Sequence, residues 1–441
     1  MPRPPTRSDD APSTERRSVA ALIGSSLFSA TAVTLVTTVL GKLVFDLTGS
    51  ELALGMLGLA EFAPAALLVF VTGPVADRLD RRRVAFVALV LEAATIAGMA
   101  AYVASDPTAV GPIFALVVAF GVCRAFAAPA TRSLPADTVS AERLPWLAPR
   151  MSITWQVATI FGPVLGGFLY VVGPQVPFYV AAGLVTVGAC VVLLVQPRPV
   201  ERRPERTRPG LHDAMEGLRF VRSEPILLGA ISLDLFAVLF GGAVALLPAI
   251  AEDRLGVGAV GLGWLRAAIG IGAASVTFVL AFRPVRRRVG PILLGSVALF
   301  GVGTIVLGLT TSFAIAFVSL LVLAGADAVS MFIRSTLVPL VTPHDKRGRV
   351  LAVEMVFIGA SNELGAFESG VVGSLLGPAA SIVIGGVGTL VVSGIWWKWF
   401  PALARVDTFP EAIEPETATE LADAVREQEA IDRVTLERDP G

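Results

Sequence analysis

Long apolar runs without charge dominate the chain, and short charged segments separate them. Each run has roughly 18 to 25 residues, enough for an α-helix to cross the hydrocarbon core of a bilayer. The runs do not alternate between apolar and polar residues, as strands of an outer-membrane barrel would. The pattern predicts about twelve membrane-spanning helices, at residues 19–45, 51–73, 84–104, 110–133, 152–173, 177–195, 226–250, 258–282, 290–310, 313–334, 350–373 and 379–400.

The composition agrees with this pattern. Of the 441 residues, 54% are hydrophobic and only 16% are charged, whereas about 25% of the residues in a soluble domain are charged. The mean hydropathy is +0.74. We therefore expect an all-α integral membrane protein.

Arginine and lysine are concentrated in every second connection between the predicted spans. Because cytoplasmic loops retain Lys and Arg, both termini are expected in the cytoplasm and the chain in the cell (inner) membrane as a multi-pass protein. The basic segments lie before the first span and after spans two, four, six, eight and ten, and they contain Arg16 and Arg17, Arg81 to Arg83, Arg143 and Arg150, Arg198 to Arg222, Arg283 to Arg288, and Lys346 to Arg349.

The chain also looks duplicated. Gly55 to Ala60 opens the second span, and the similar segment Gly263 to Ala268 opens the eighth. Two six-helix bundles around a central cavity, with a binding site between them near the membrane midplane, are the architecture that such a repeat predicts. The expected parts are a cytoplasmic leader, an N-terminal bundle, a cytoplasmic linker, a C-terminal bundle and an acidic cytoplasmic tail, at residues 1–18, 19–195, 196–224, 225–400 and 401–441.

Other chemistry has little support in the sequence. Cys123 and Cys190 lie inside apolar spans, and His212 and His344 each stand alone, so neither a disulfide framework nor a metal site is expected. The sequence has no phosphate-binding loop and no dinucleotide fingerprint. We expect no cofactor and no enzyme activity, and transport would have to be driven by a gradient.

The segment Gly73 to Arg83 forms a tight polar hinge after the second span. We expect Gly73 to allow close backbone approach and the following proline to break the helix. Asp77 can then accept hydrogen bonds from Arg78 or Arg81 and face the positive end of a helix in the other bundle. The arginines also serve as topology anchors, and the two roles do not exclude each other.

The fifth span carries a glycine and proline motif, Gly162, Pro163, Gly166 and Gly167. Glycines four residues apart let another helix pack closely, and the proline allows a bend. Helix packing alone would also explain these glycines.

These motifs resemble those of the major facilitator superfamily over essentially all the spans. The hinge is similar to that family's motif A, with Asp80 in place of the usual glycine, as in the enterobactin-exporter and macrolide-efflux (transmembrane secretion effector) branch. Segments 234–242, 263–268 and 357–365 resemble the same branch. The glycine motif of span five looks like the antiporter motif C, which implies export. The hinge at 283–290 departs from the pattern, because it has no equivalent of Asp77, and this implies a one-sided gating latch.

Ionisable residues within the spans are the candidates for substrate and proton coupling, because a charge at mid-bilayer costs about 2.5 to 3.5 kcal/mol even on the lenient insertion scale. A carboxylate in a low-dielectric cavity can exchange a proton near neutral pH. Two acids, Glu61 and Glu363, are the expected proton carriers, with Arg124 and Arg266 as counter-charges. We expect Glu61 to pair with Arg124, and Arg266 with Glu363 or Glu368. Structural ion pairs are the alternative. The complete set is Glu61, Arg124, Asp234, Arg266, Asp327, Glu363 and Glu368.

Three functions remain open. The favoured one is a secondary active transporter that exports a small amphipathic molecule, such as a drug or siderophore-like metabolite, by proton antiport with alternating access. The alternatives are a nutrient or metabolite importer of the same fold, and a membrane binding or scaffold protein without transport. The expected partners are a small-molecule substrate, protons and membrane lipids, with no nucleic acid, and the expected state is a monomer.

Overall fold

The computed structural model describes residues 13–197 and 211–410, apart from a few side chains that include those of residues 69, 70, 74 and 76–78. The described residues are helical or lie in short connections. Most of the predicted leader, residues 198–210 of the predicted linker and residues 411–441 of the predicted acidic tail lie outside this description.

Six helices form the first half of the fold. The first five, α1 to α5, are long and apolar enough to cross a membrane, and α6 is shorter, with 17 residues. The second helix continues through Pro74, so the prediction that this proline breaks the helix is wrong. The bounds are α1 (Ser13–Thr48), α2 (Glu51–Arg78), α3 (Arg81–Val103), α4 (Gly111–Thr138), α5 (Leu144–Val172) and α6 (Val176–Val192).

The second half begins with α7 (Leu211–Ser223), a helix inside the segment that we expected to be only a linker. The predicted seventh span is not one regular helix. It consists of α8 (Pro225–Phe240), a 3-10 turn (Gly242–Leu246), α9 (Leu247–Ala249) and a π-helical turn (Ile250–Arg254). The break follows Gly241, and a Cβ on Gly242 would collide with the backbone of Gly365. Close contact with another helix therefore accompanies the interruption.

Five regular spans and a short helix complete the chain. They are α10 (Gly258–Phe282), α11 (Val289–Leu309), α12 (Phe313–Val341), α13 (Arg347–Leu376), α14 (Pro378–Trp399) and α15 (Pro401–Ala404). With the broken seventh span, the described residues contain eleven segments long enough to cross a membrane and the shorter α6.

The two halves repeat the same packing. In the first half, α1 packs on α5 and α6, α2 on α4, and α3 on α4 and α6. In the second half, α8 packs on α13 and α14, α10 on α12, and α11 on α12 and α14. Each pair in one half has its counterpart six spans later in the other, so the fold is two six-helix bundles.

Two helix pairs join the bundles, α2 with α13 and α5 with α10. Glycines make both contacts close. A Cβ on Gly55 would lie 3.1 Å from the Cα of Gly370, and a Cβ on Gly263 would lie 2.6 Å from the carbonyl oxygen of Pro163. A side chain at these positions would push the helices apart.

These contacts are concentrated toward one side of the molecule. We call the end that contains the 79–80, 139–143, 283–288 and 342–346 connections the basic side, and the other end the opposite side. Gly55 and Gly370 lie toward the opposite side. Toward the basic side, by contrast, Leu67 of α2 is 78% exposed and Val356 of α13 is 65% exposed. At Gly73 no described atom lies within 4 Å of where a Cβ would be, whereas a close approach of backbones occurs at Gly55.

Cysteine labelling would test which side faces the cytoplasm. In a chain with Cys123 and Cys190 replaced by Ser, a cysteine at Thr108 on the opposite side should react with a membrane-impermeant maleimide in intact cells. A cysteine at Glu142 on the basic side should react only after the cells are opened, because basic loops are retained in the cytoplasm. Both positions are exposed. The reverse labelling pattern would contradict the expected orientation.

Candidate functional site

Two adjacent cavities share Trp155 in their lining, and we describe them as the two lobes of a central cavity. The larger lobe, about 570 Å³, is bounded by α1, α5, α10 and α12 and includes Arg266 and Asp327. The smaller, about 470 Å³, lies within the first bundle and includes Glu92 and Arg124. Volumes of this order suit small molecules.

The lining residues show where the cavity opens. Ser152 near the start of α5 and Ser335 near the end of α12 line the larger lobe, and Arg132 near the end of α4 lines the smaller one. All three positions lie toward the basic side. The cavity therefore extends from mid-span to the basic side, while close helix contacts occupy the opposite side.

The first charged cluster, formed by Glu61, Glu92, Arg124 and Glu363, lies at mid-span. Arg124 on α4 donates a hydrogen bond to Glu61 on α2, the pairing expected from the sequence. Glu363 comes from α13 of the other bundle and interacts electrostatically with both residues. It approaches α2 beside Gly58, where a Cβ would lie 2.5 Å from its Oε2. The cluster thus connects the two bundles.

Glu92 on α3 is a member of this cluster that the sequence analysis left out. Its side chain is buried, and its Oε1 has no hydrogen-bond partner in the described part of the chain. It lies near enough to Arg124 and Glu61 to interact electrostatically with both. The sequence feature that could have identified Glu92 is that it is a lone glutamate inside the apolar run 84–103.

Arg266 on α10 lines the larger lobe and is partly buried. Among residues 13–197 and 211–410 it forms no ion pair, and its Nε has no hydrogen-bond partner. The expected pairing with Glu363 or Glu368 is therefore not formed. The nearest electrostatic partner is Glu61, which is already engaged by Arg124. Glu368 is partly buried further along α13, beside Ser369.

A second charged cluster, formed by Asp234, Asp327, Arg334 and Glu354, lies within the C-terminal bundle. Arg334 on α12 is only 4% exposed, and its Nη2 lies 2.6 Å from the Oδ1 of Asp234 on α8. Its Nη1 lies 3.7 Å from the Oε1 of Glu354 on α13. Asp327, two helical turns before Arg334, interacts electrostatically with this pair and lines the larger lobe.

Arg334 was not predicted as a site residue because it lies at the end of its predicted span. An arginine at that position is usually interpreted as a topology anchor. The available signal was its spacing of seven residues from Asp327, which places both on one face of a helix. Glu354, near the start of the predicted span 350–373, has this buried arginine as its partner.

The hinge between α2 and α3 is organised by Asp80 and Arg81. Asp80 is the N-cap of α3 and accepts hydrogen bonds from the backbone N–H groups of Arg82 and Arg83. Arg81 lies 2.9 Å from both carboxylate oxygens of Asp137 at the end of α4. Asp80 thus stabilises a helix start at the position where the resembled motif has glycine. The side chains of Asp77 and Arg78 lie outside the described residues.

The glycine motif of α5 is a packing surface. Gly162 and Gly166 face α1, where Cβ atoms would meet Thr34, Leu35 and Val39, and Gly167 faces Ala259 of α10. The helix continues through Pro163. These contacts directly support the interpretation that the motif serves helix packing. They place α5 between α1 of its own bundle and α10 of the other bundle.

A polar cluster on the opposite side, formed by Lys42, Asp46, Tyr170 and Glu252, also links the bundles. Lys42 and Asp46 on α1 form an ion pair, and the hydroxyl of Tyr170 on α5 donates to Asp46 at 2.7 Å. The Nζ of Lys42 lies 3.0 Å from Glu252 in the π-helical turn of the C-terminal bundle. No role was predicted for these residues from the sequence. The i, i+4 spacing of Lys42 and Asp46 at the end of an apolar run was the available signal.

Comparisons with known proteins agree with this architecture. The family model described as the Major Facilitator Superfamily matches residues 22–333. The chain is 27% identical over 378 residues to an uncharacterized MFS-type transporter, YfiS, of Bacillus subtilis (strain 168), covering 79% of this chain and 84% of that protein. It is 24% identical over 330 residues to the enterobactin exporter EntS of Shigella flexneri, covering 74% and 77%.

Solved structures share the fold at low identity. The nucleoside transporter NupG superposes with a TM-score of 0.70 at 16% identity, covering 88% of this chain and 99% of that one. A bacterial homolog of the human lysosomal transporter Spinster, in an inward-facing and unoccupied conformation, superposes with a TM-score of 0.67 at 15% identity, covering 90% and 98%.

Removing the arginine of the second cluster should destabilise the protein. Arg334→Met leaves Asp234 and Glu354 buried without their counter-ion, a change that costs about 3–5 kcal/mol in buried pairs. We expect a clearly lower melting temperature in detergent, with Arg286→Met on the exposed 283–288 loop as the control. Adding Asp234→Asn to Arg334→Met should recover part of the loss. A melting temperature equal to that of the wild type would contradict this role.

Proposed function

The chain belongs to the Major Facilitator Superfamily, whose members are transporters and not enzymes, and we propose that it exports a small amphipathic molecule by proton antiport. The observation that carries the proposal is the central cavity, which has carboxylates from both bundles, Glu92 and Asp327, in its lining and extends to the basic side. Such a cavity can bind a solute and a proton and then present them to the other side when the bundles rock.

Alternating access is supported by the distribution of contacts between the bundles. The glycine contacts of α2 with α13 and of α5 with α10 lie toward the opposite side, and so does the Lys42 to Glu252 ion pair. Opening the opposite side would have to separate these groups. The hinge at Asp80 and Arg81 and the glycine motif of α5 would then guide the movement, and Asp77 and Arg78 remain proposed parts of the gate.

Proton coupling is supported by the balance of charges. The first cluster has three carboxylates, Glu61, Glu92 and Glu363, and its neighbouring cations are Arg124 and Arg266. In the second, Arg334 is the cation among Asp234, Asp327 and Glu354. Net charge is costly in a low-dielectric interior, and a bound proton is the simplest way to neutralise a surplus carboxylate. Each cluster thus has a carboxylate for which a proton is the natural partner.

Export is supported by the relatives and by the motifs. One relative is named as an enterobactin exporter, and the α5 motif resembles that of proton-coupled antiporters. With the basic side in the cytoplasm of an inner-membrane monomer, the cavity in this conformation would receive its substrate from inside the cell. Drugs and siderophore-like metabolites are the substrate class that we propose.

A susceptibility screen would test the function directly. A deletion strain should become more sensitive to one or more members of a panel of amphipathic drugs and catechol chelators, and an uncoupler should remove the protection that the intact gene provides. Accumulation of the compound in cells that express the protein would instead support import.

The two proposed proton carriers can be tested in the same strain. Glu61→Gln and Glu363→Gln should each reduce efflux of the identified substrate at least tenfold, because an amide cannot exchange a proton, while the protein remains inserted. Glu142→Gln on the exposed 139–143 connection is the matched control. Undiminished efflux in both variants would exclude these residues as carriers.

A disulfide across the bundles would test alternating access. A Cβ on Gly58 would lie 3.6 Å from the Cβ of Ala366, within the range of about 3.5–4.5 Å found in disulfides. In a chain with Cys123 and Cys190 replaced by Ser, Gly58→Cys with Ala366→Cys should oxidise readily and block transport, and reduction should restore the rate of the Gly58→Cys single variant, in which the new side chain already displaces Glu363. Each single-cysteine variant is the control. Transport at the uncrosslinked rate after complete oxidation would show that this contact does not open.

A further inference from the structure

Arg266 is a guanidinium in the central cavity that forms no ion pair within the described residues. Its Nε is buried without a hydrogen-bond acceptor, and no carboxylate in the described part of the chain lies within ion-pair distance. A guanidinium presents five N–H donors in a planar fork that fits a carboxylate or another planar oxyanion. Leaving such a group unpaired in a low-dielectric site is costly.

The neighbouring charges do not satisfy this arginine. Glu61 is engaged by Arg124, and Asp327, which lines the same lobe, is attracted by Arg334 and forms no ion pair with Arg266 in the described part of the chain. Asp327 and Arg266 also differ in how their charge can be neutralised. A carboxylate such as Asp327 can be neutralised by a proton, but arginine keeps its charge in proteins. A proton can therefore neutralise the carboxylate of this lobe, whereas Arg266 can be neutralised only by an anion.

The rest of the lobe suits a flat amphipathic body. Trp155, Met331 and Phe332 form an apolar wall on α5 and α12. On the α1 and α5 walls, the hydroxyls of Thr38 and Thr159 donate to backbone carbonyl oxygens at 2.7 Å and 2.9 Å. Their remaining lone pairs can accept hydrogen bonds from a solute or from water.

We propose that Arg266 is the anion-binding residue of the central cavity and that the transported molecule is a flat amphipathic organic anion. Its carboxylate, or another planar oxyanion, binds the guanidinium, and its apolar body lies against Trp155 and Met331. This rests on the proposed function, since it takes the cavity as the transport site.

Three probes that share one naphthalene body and differ only in charge would test the proposal. They are 2-naphthoate, 2-naphthylmethylammonium and the neutral 2-naphthylmethanol. Binding to the full-length protein in detergent is measured by equilibrium dialysis at one pH, with empty micelles subtracted. The variants are Arg266→Gln, Arg266→Lys and, as the matched control, Arg286→Gln in the exposed 283–288 loop.

We expect the wild type and Arg286→Gln to bind naphthoate at least tenfold more tightly than either other probe. Arg266→Gln should lose at least tenfold in naphthoate affinity and leave binding of the neutral probe unchanged. Arg266→Lys should retain part of the affinity, because it keeps the charge but loses the fork.

Absence of naphthoate binding by the wild type, tighter binding of the ammonium probe, or unchanged naphthoate affinity in Arg266→Gln would overturn the proposal. If Arg266→Gln does not fold, the proposal is tested by whether the wild type binds naphthoate more tightly than the ammonium and neutral probes and by whether Arg266→Lys weakens that binding. No gradient is present in this experiment, so a failure of proton coupling would leave its result unchanged. Conversely, absence of an anion preference would not contradict the proposal of proton-driven export.

Discussion

Charge buried among apolar helices is the constraint on which this structure depends. In hydrocarbon an ionised side chain has no water to solvate it, so it must find a counter-ion, a proton or a ligand. Arg334 satisfies this requirement within the C-terminal bundle through Asp234 and Glu354. The cluster around Glu61 and Arg124 instead receives a carboxylate, Glu363, from the opposite bundle. Separation of the bundles at this site would therefore remove a carboxylate from the cluster.

The second constraint is close helix packing without large side chains. Gly55, Gly263 and Gly370 allow backbones of different bundles to touch on one side of the molecule. A contact at a glycine involves no charged side chain of its own, so separating the helices there leaves no ion without its partner. The Lys42 to Glu252 ion pair is at the same side, with Lys42 buried and Glu252 exposed, and opening of this side would let water solvate Lys42. Both features suit an interface that opens and closes.

Much of the fold could be predicted from the sequence. Helix positions follow from the apolar runs, because an element that crosses a bilayer must satisfy its backbone hydrogen bonds internally. The repeat of Gly55 to Ala60 at Gly263 to Ala268 predicted two bundles, and in the structure both segments form contacts between bundles. The pairing of Glu61 with Arg124 was also predicted, since an uncompensated charge in either helix would be costly.

What the sequence determined by itself is therefore local and one-dimensional, namely which segments are apolar, how long they are and which of them contain a charge. The tertiary structure decided which charges meet. Arg334 pairs with Asp234 and Glu354, Glu92 lies in the first cluster, and Arg266 lines the cavity. It also decided that the seventh span breaks after Gly241, where Gly242 meets Gly365. The physical reason is that ion pairing and backbone contact depend on distances of a few ångströms between helices far apart in sequence, which hydropathy does not encode.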